Sequence, residues 1–208
     1  MCKTVFMQAI ESVKAVAVAE YLLLITPHED LFNRIRLEKQ SFFEKYKAPE
    51  AVRGKPHLTL VRFTQFEGAE ERIRQKLRNK AAEWLPFCVE LTDYGSFPAH
   101  TIYLNVATKT GIQNLVKSNR TDSQALMKMD KDHKPHFILE PHITIARRLK
   151  PWQYEAGWLE YRDKSFSGKF MANAMTLLKR ADENTPYKTV ERFVFAGRPL
   201  LPKQGVMF

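Results

Sequence analysis

The sequence predicts an α+β chain in which strands and helices alternate, and three observations carry that expectation. Short apolar runs are bounded by Pro and Gly, longer stretches set apolar residues at helical spacing among charges, and one strand pattern occurs twice.

The elements follow in order. Tyr21–Thr26 is an apolar run ended by Pro27, a strand. From Glu29 to Tyr46, Leu31, Phe32, Ile35, Phe42 and Phe43 recur at near-helical spacing, an amphipathic helix that Ala48-Pro49 ends. His57–Phe63 reads as a strand, and Ala69–Trp84 as a charged helix stopped by Pro86. Phe87–Tyr94 and Thr101–Val106 flank Gly95-Ser96-Phe97-Pro98 and predict a hairpin. Gly111–Met129 is a third helix, with Ser118-Asn119 in its middle, and Asp130–Pro135 a polar loop. His142–Arg147 is a strand and Pro151–Arg162 a helix with Pro at its start. Phe166–Leu178 and Val190–Phe195 are two more strands, and Arg198–Phe208 is a tail. The pattern amounts to about seven strands and four helices.

A chain of 208 residues makes one ordinary domain, or two small lobes sharing a core. Its 44% hydrophobic and 12% aromatic content is enough for a real core and excludes global disorder. The net charge of +10 calls for an anionic partner, a nucleic acid or a nucleotide. Cys2 and Cys88 make no CxxC pair and no disulfide framework, which fits a reducing compartment. The longest apolar stretches, Ala15–Ala19 and Tyr21–Ile25, are split by Glu20 and fall short of the ~20 residues that span a bilayer. The N-terminus lacks a basic start and a small-residue cleavage site. A soluble cytoplasmic protein is the expectation.

The repeated pattern carries the chemistry. Lys55-Pro56-His57-Leu58-Thr59-Leu60-Val61-Arg62 matches Glu140-Pro141-His142-Ile143-Thr144-Ile145-Ala146-Arg147 at Pro, His, Thr and Arg. In a chain of this composition, a second such match arises by chance in roughly a few sequences per thousand. Side chains alternate along a strand, so His57 and Thr59 share one face, ~6.6 Å apart, while Leu58 and Leu60 take the other. His142 and Thr144 stand in the same relation to Ile143 and Ile145. Where two such strands approach across a groove, two imidazoles and two hydroxyls converge. One neutral imidazole accepts a proton from a nucleophile, the other donates to a leaving oxygen, and the hydroxyls donate to phosphate oxygens. Phosphodiester chemistry needs no metal under this arrangement.

These paired His-x-Thr motifs resemble the two-histidine (2H) phosphoesterase superfamily, in particular its 2′-5′ RNA ligase or 2′,3′-cyclic phosphodiesterase branch. Pro141-His142-Ile143-Thr144-Ile145-Ala146-Arg147 is similar to that branch's second motif. The resemblance implies a bilobal α+β fold with pseudo-twofold symmetry, two mainly antiparallel sheets flanking a central cleft, and helices on the outside. It places a single bilobal core at about residues 20–197, with an N-terminal extension and a C-terminal tail beyond it. It implies opening of 2′,3′-cyclic phosphates or 2′-5′ bonds in RNA ends or nucleotides, or the reverse joining, without a cofactor. Carried over, His57 and His142 are the acid–base pair, and Thr59 and Thr144 the phosphate clamp. Two departures bear on the substrate. The first motif runs on as Val61-Arg62-Phe63-Thr64, without the branch's Gly-containing turn, and about twenty residues precede the first strand.

Other residues complete the reading. Phe63, on the same strand face as His57 by alternation, and Tyr103 are candidates to stack on a base, with Trp152 a third. Lys55, Arg147 and Arg148, with Arg53 and Lys150, form basic clusters beside the motifs that suit a phosphate backbone. Strict alternation nevertheless turns Arg62 and Arg147 to the Leu58/Ile143 face, away from direct contact. His133 and His136 flank Pro135, which breaks ligand spacing, so a loop is favoured over a metal site. His28 reads as a capping residue and His100 as a rim residue. The absence of GxxxxGK[ST], GxGxxG and HExxH argues against ATP chemistry. The rival readings are a noncatalytic RNA-binding module on the same fold and a metal-dependent phosphatase. Because one chain supplies both halves of the site, a monomer is expected.

Overall fold

The computed structural model describes residues 17–198; the N-terminal extension up to residue 16 and the tail from 199 onward lie outside the described residues. Among them, nine strands and five α-helices alternate: β1 (Val18–Ile25), α1 (Glu29–Tyr46), α2 (Glu50–Arg53), β2 (Leu58–Phe66), α3 (Glu70–Glu83), β3 (Phe87–Phe97) and β4 (Thr101–Val106) come first. They are followed by α4 (Lys109–Met127), β5 (His136–Phe137), β6 (His142–Ala146), α5 (Pro151–Tyr161), β7 (Ser167–Ala172), β8 (Ala174–Arg180) and β9 (Lys188–Val194).

The sheet order is β7-β3-β4-β6-β2-β1-β8-β9, with β5 beside β2 and every pairing antiparallel. It consists of two four-stranded halves, β7-β3-β4-β6 and β2-β1-β8-β9. A single residue pair, Leu58 with Ile143, joins them. The halves match strand for strand outward from that pair, and the antiparallel α+β fold is as expected, with the two expected sheets joined into one. Helices cross between the halves. α1, which follows β1, packs on β6 and β7, while α4, which follows β4, packs on β2. The chain is laced across the junction of its halves, and Leu58, Leu60, Ile143 and Ile145 lie in one core with Tyr21, Leu23, Ile35 and Phe42.

Most elements form where the sequence places them, for local reasons. His28 caps α1 by accepting from the Leu31 amide at 3.3 Å, and Glu29 and Asp30 favour its positive end. Lys47, at φ 51°, closes the helix in the left-handed region, and Gln153 Nε2 donates to the freed carbonyls of Tyr46 and Lys47. Three elements differ, the first being the two-residue β5, which pairs with β2 where no strand was expected. The four-residue α2 is too short to show periodicity and forms because Ala51 is fully buried. The expected strand Phe166–Leu178 breaks at Asn173 into β7 and β8, which belong to opposite halves of the sheet. An unbroken apolar pattern conceals such a transfer.

Candidate active site

Each motif histidine starts from the same local device. The residue before a proline is held extended and the proline fixes its own φ, so the carbonyl two residues back is presented to the following ring. His57 Nδ1 lies 2.7 Å from the Lys55 carbonyl oxygen, and His142 Nδ1 lies 2.8 Å from that of Glu140. A carbonyl only accepts, so Nδ1 carries the hydrogen in both rings and Nε2 is left as the bare basic nitrogen.

The Leu58–Ile143 pair fixes how the copies face one another. One residue further each way, antiparallel register sets His57 across from Thr144 and Thr59 across from His142. All four are half-buried, on the sheet face opposite the buried Leu58 and Ile143. The motif residues are therefore gathered at the junction of the two halves.

A second symmetric feature was invisible to strict alternation. Thr59 pairs with Leu24 but Val61 with Leu23, so Leu60 is an extra residue in β2. Thr144 pairs with Tyr103 but Ala146 with Ile102, so Ile145 is extra in β6. Each bulge follows the motif threonine and inverts the phase of the strand beyond it. Leu60, Val61, Ile145 and Ala146 are all fully buried, and Arg62 and Arg147 turn out onto the histidine face.

Two expectations are corrected by these bulges. Arg147 does not follow Ile143 into the core side; its charge reaches both His57 and Lys39. Phe63 does not share the face of His57: it is 2% exposed and stacks on Tyr21 at 5.1 Å, so it packs in the core. Arg62 also turns outward, but its charge acts on Glu20 and Tyr187.

Tyr103 lies beside His142, with ring centroids 5.0 Å apart. Phe97, expected in a turn, is in β3 and packs edge-on to His142 at 5.1 Å and against Tyr103 at 4.6 Å. With Asn105, Lys109 and Glu140 these residues line a small hollow at His142. Gly95 makes room for it, because a Cβ there would sit 2.6 Å from both the Tyr103 ring and the Asn105 amide. The signal for Phe97 was present in the Gly95-Ser96-Phe97 sequence, but only the extension of β3 past Tyr94 reveals its direction.

The remaining candidates are placed less centrally. Lys55 contributes its carbonyl to His57 while its side chain is exposed. Arg148 is exposed at φ 51°, Arg53 pairs with Glu50 at 2.8 Å, and Trp152 is exposed in the first turn of α5. His100 Nδ1 meets Thr101 Oγ1 at 2.7 Å near Phe97. His133 is engaged by Asp130 at 2.8 Å within its loop, and among the described residues no three His, Cys, Asp or Glu side chains gather as metal ligands would.

Electrostatics separates the two histidines. Burial pushes His57 down to about 4, and the charges of Lys39, Arg147 and His142 act the same way against the Lys55 hydrogen bond. Burial also lowers His142, but the Glu140 hydrogen bond and the Glu140 carboxylate oppose it. Both rings are therefore neutral in the empty cleft at neutral pH, and an entering anion raises their proton affinity.

A paired-histidine cleft between two antiparallel half-sheets defines the class of protein. Residues 26–184 match the 2′-5′ RNA ligase superfamily, and the chain belongs to that family. A candidate phosphoesterase of Geobacillus kaustophilus is 28% identical over 171 residues, covering 80% of this chain and 92% of that one. The crystal structure of E. coli LigT complexed with 3′-AMP superposes with a TM-score of 0.61 at 18% identity, over 86% of this chain and 98% of LigT. TT0787 of Thermus thermophilus superposes at 0.55 and 19% identity, over 86% and 100% of the two chains. At such identities the solved structures establish the shared fold. No helix among the described residues is long and apolar enough to cross a membrane.

Proposed function

We propose that this chain is a metal-independent phosphodiesterase that opens 2′,3′-cyclic phosphates, or cleaves 2′-5′ bonds, in RNA ends or nucleotides. Running backwards, the same chemistry joins ends through a 2′-5′ bond. The observation that carries the reading is the matched state of the two imidazoles: each has Nδ1 committed to a backbone carbonyl and Nε2 free, on either side of one residue pair.

In ring opening, one Nε2 takes a proton from water as its oxygen attacks phosphorus. The other imidazole, protonated once the anion is bound, gives its proton to the departing ribose oxygen. Thr59 and Thr144 donate to the non-bridging oxygens, whose charge must be balanced in the transition state. Arg147 adds a cation on the same face, and Tyr103 with Phe97 supplies an apolar wall for a base. The LigT complex with 3′-AMP shows a nucleotide held by a protein of this fold, which supports a nucleotide as ligand here. One chain contains both halves of the site, so it acts as a monomer, and both its basic charge and its free Cys88 suit RNA in a cytoplasmic setting.

The test is hydrolysis of the four nucleoside 2′,3′-cyclic monophosphates in EDTA by the wild type, His57→Ala and His142→Ala, with product isomers resolved. Turnover to 2′-phosphates that both variants lose is the expected result. Turnover that requires added metal, or that survives in either variant, overturns the mechanism. Binding of RNA without turnover of cyclic phosphates or 2′-5′ oligonucleotides identifies a binding module instead.

A further inference from the structure

Lys39 lies on α1, is only 5% exposed, and had no part in the sequence reading. Its ammonium donates to the Thr144 carbonyl at 2.9 Å and to the Ile145 carbonyl at 3.3 Å. Neither partner is a carboxylate, and the charges coupled to it, those of Arg147 and His57, belong to basic groups. Burying an ammonium without a counter-ion is unfavourable, and an apolar side chain at this helix position would avoid that cost.

The two carbonyls belong to the residues that make the β6 bulge. A bulge withdraws backbone groups from the ladder, and buried carbonyls must find another donor. In the first motif the equivalent carbonyl, Leu60 O, accepts from the Ile138 backbone amide at 2.9 Å. In the second motif that work falls to a charged side chain from the other half's crossover helix. Immediately beyond the bulge stands Arg147, which Glu50 on α2 meets only loosely, at 3.9 Å.

We propose that Lys39 is a positioning residue of the cleft: its ammonium pins the Thr144 and Ile145 carbonyls and so holds the bulge that keeps Arg147 on the histidine face. Thr144 is held by the same pin, so one buried lysine orients a phosphate donor and a phosphate cation together. Lys39 touches no substrate. Its significance for catalysis rests on the proposed function, but its placement is testable without substrate, so the two readings fail separately.

The groups that face His57 are Lys39 from α1, His142 from β6, Arg147 just after β6, and the Lys55 carbonyl from the chain leading into β2; Glu50 on α2 attends Arg147. An NMR titration of the His57 ring in the full chain therefore reports where Arg147 sits. Arg147→Ala raises the titration midpoint. Lys39→Met raises it by about half a unit or more, through loss of its own charge and release of Arg147. Adding Arg147→Ala to Lys39→Met then gives no further rise, because Arg147 has already left. An unchanged midpoint in Lys39→Met, or a full additional rise in the Lys39→Met/Arg147→Ala pair, overturns the proposal. Should Lys39→Met not fold, Lys39→Leu takes its place in the same comparison, and a full additional rise on adding Arg147→Ala overturns the proposal there too.

Discussion

The first motif strand, β2, and the second, β6, match from the buried proline to the bulge after the threonine, yet their surroundings differ. His57 stands among cations, Lys39 and Arg147, and is held strongly in its neutral form. His142 stands against Phe97 and Tyr103, with Glu140 favouring its protonation. At the position in β1 that corresponds to Tyr103, the first half has the buried Leu24, paired with Thr59. Even the equivalent arginines diverge, Arg147 acting on His57 and Arg62 on Glu20. The comparison teaches that the repeat supplies matched imidazoles and hydroxyls, whereas the asymmetry comes from what is not repeated; under the proposed function, the basic side takes the phosphate and the aromatic side a base.

The largest effect comes from removing the duplicated chemistry. His57→Ala and His142→Ala each lower kcat/KM for a nucleoside 2′,3′-cyclic phosphate by about 10²–10⁴-fold, and the double variant loses little more. Thr59→Val and Thr144→Val lower kcat by about 10²-fold, as loss of a transition-state donor does. Independent, multiplying losses for the two histidines would contradict a single concerted site.

The aromatic side is broken next. Tyr103→Ala and Phe97→Ala raise KM by about tenfold while kcat holds, since stacking on a base contributes on the order of 1–3 kcal/mol. Gly95→Ala reproduces the Tyr103 defect, because its Cβ occupies the ring's place. Phe63→Leu lowers the melting temperature and leaves KM unchanged, as a core residue should. A shift in KM for Phe63→Leu, or none for the two cleft aromatics, would reverse the assignment of faces.

The smallest effect is on stability. The His57 pKa is depressed in the folded chain, from 6.5 to about 4, so the unfolded chain takes up the proton first as pH falls. Its neutral-form contribution is complete above 6.5 and is lost as pH falls toward 4. Urea midpoints measured at pH 7 and 4.5 should therefore drop less in His57→Gln than in the wild type. Equal drops would show that His57 is not held neutral by folding.

These results also mark how far the sequence reaches. The two Pro-His-x-Thr strands were legible because a repeated pattern needs no tertiary knowledge, and α1 because its caps and periodicity agree. The directions of Phe63 and Arg147 were not, since each depends on one bulged residue that alternation counts as ordinary. Lys39 was hidden for a different reason: within a charged amphipathic helix it looks like a solvated residue, and only the crossover of α1 onto β6 buries it. Phe97 looked like a turn residue because Gly95 and Pro98 flank it, whereas β3 and β4 stay paired three residues beyond Tyr94.

The most direct test of the paired-imidazole account is the pH dependence of kcat/KM on a nucleoside 2′,3′-cyclic phosphate, measured in EDTA from pH 4 to 9. Both histidines are lowered from the usual 6.5, so the account predicts a bell with both limbs at or below that value. A flat profile, or a bell whose limbs lie in the alkaline range, would contradict it.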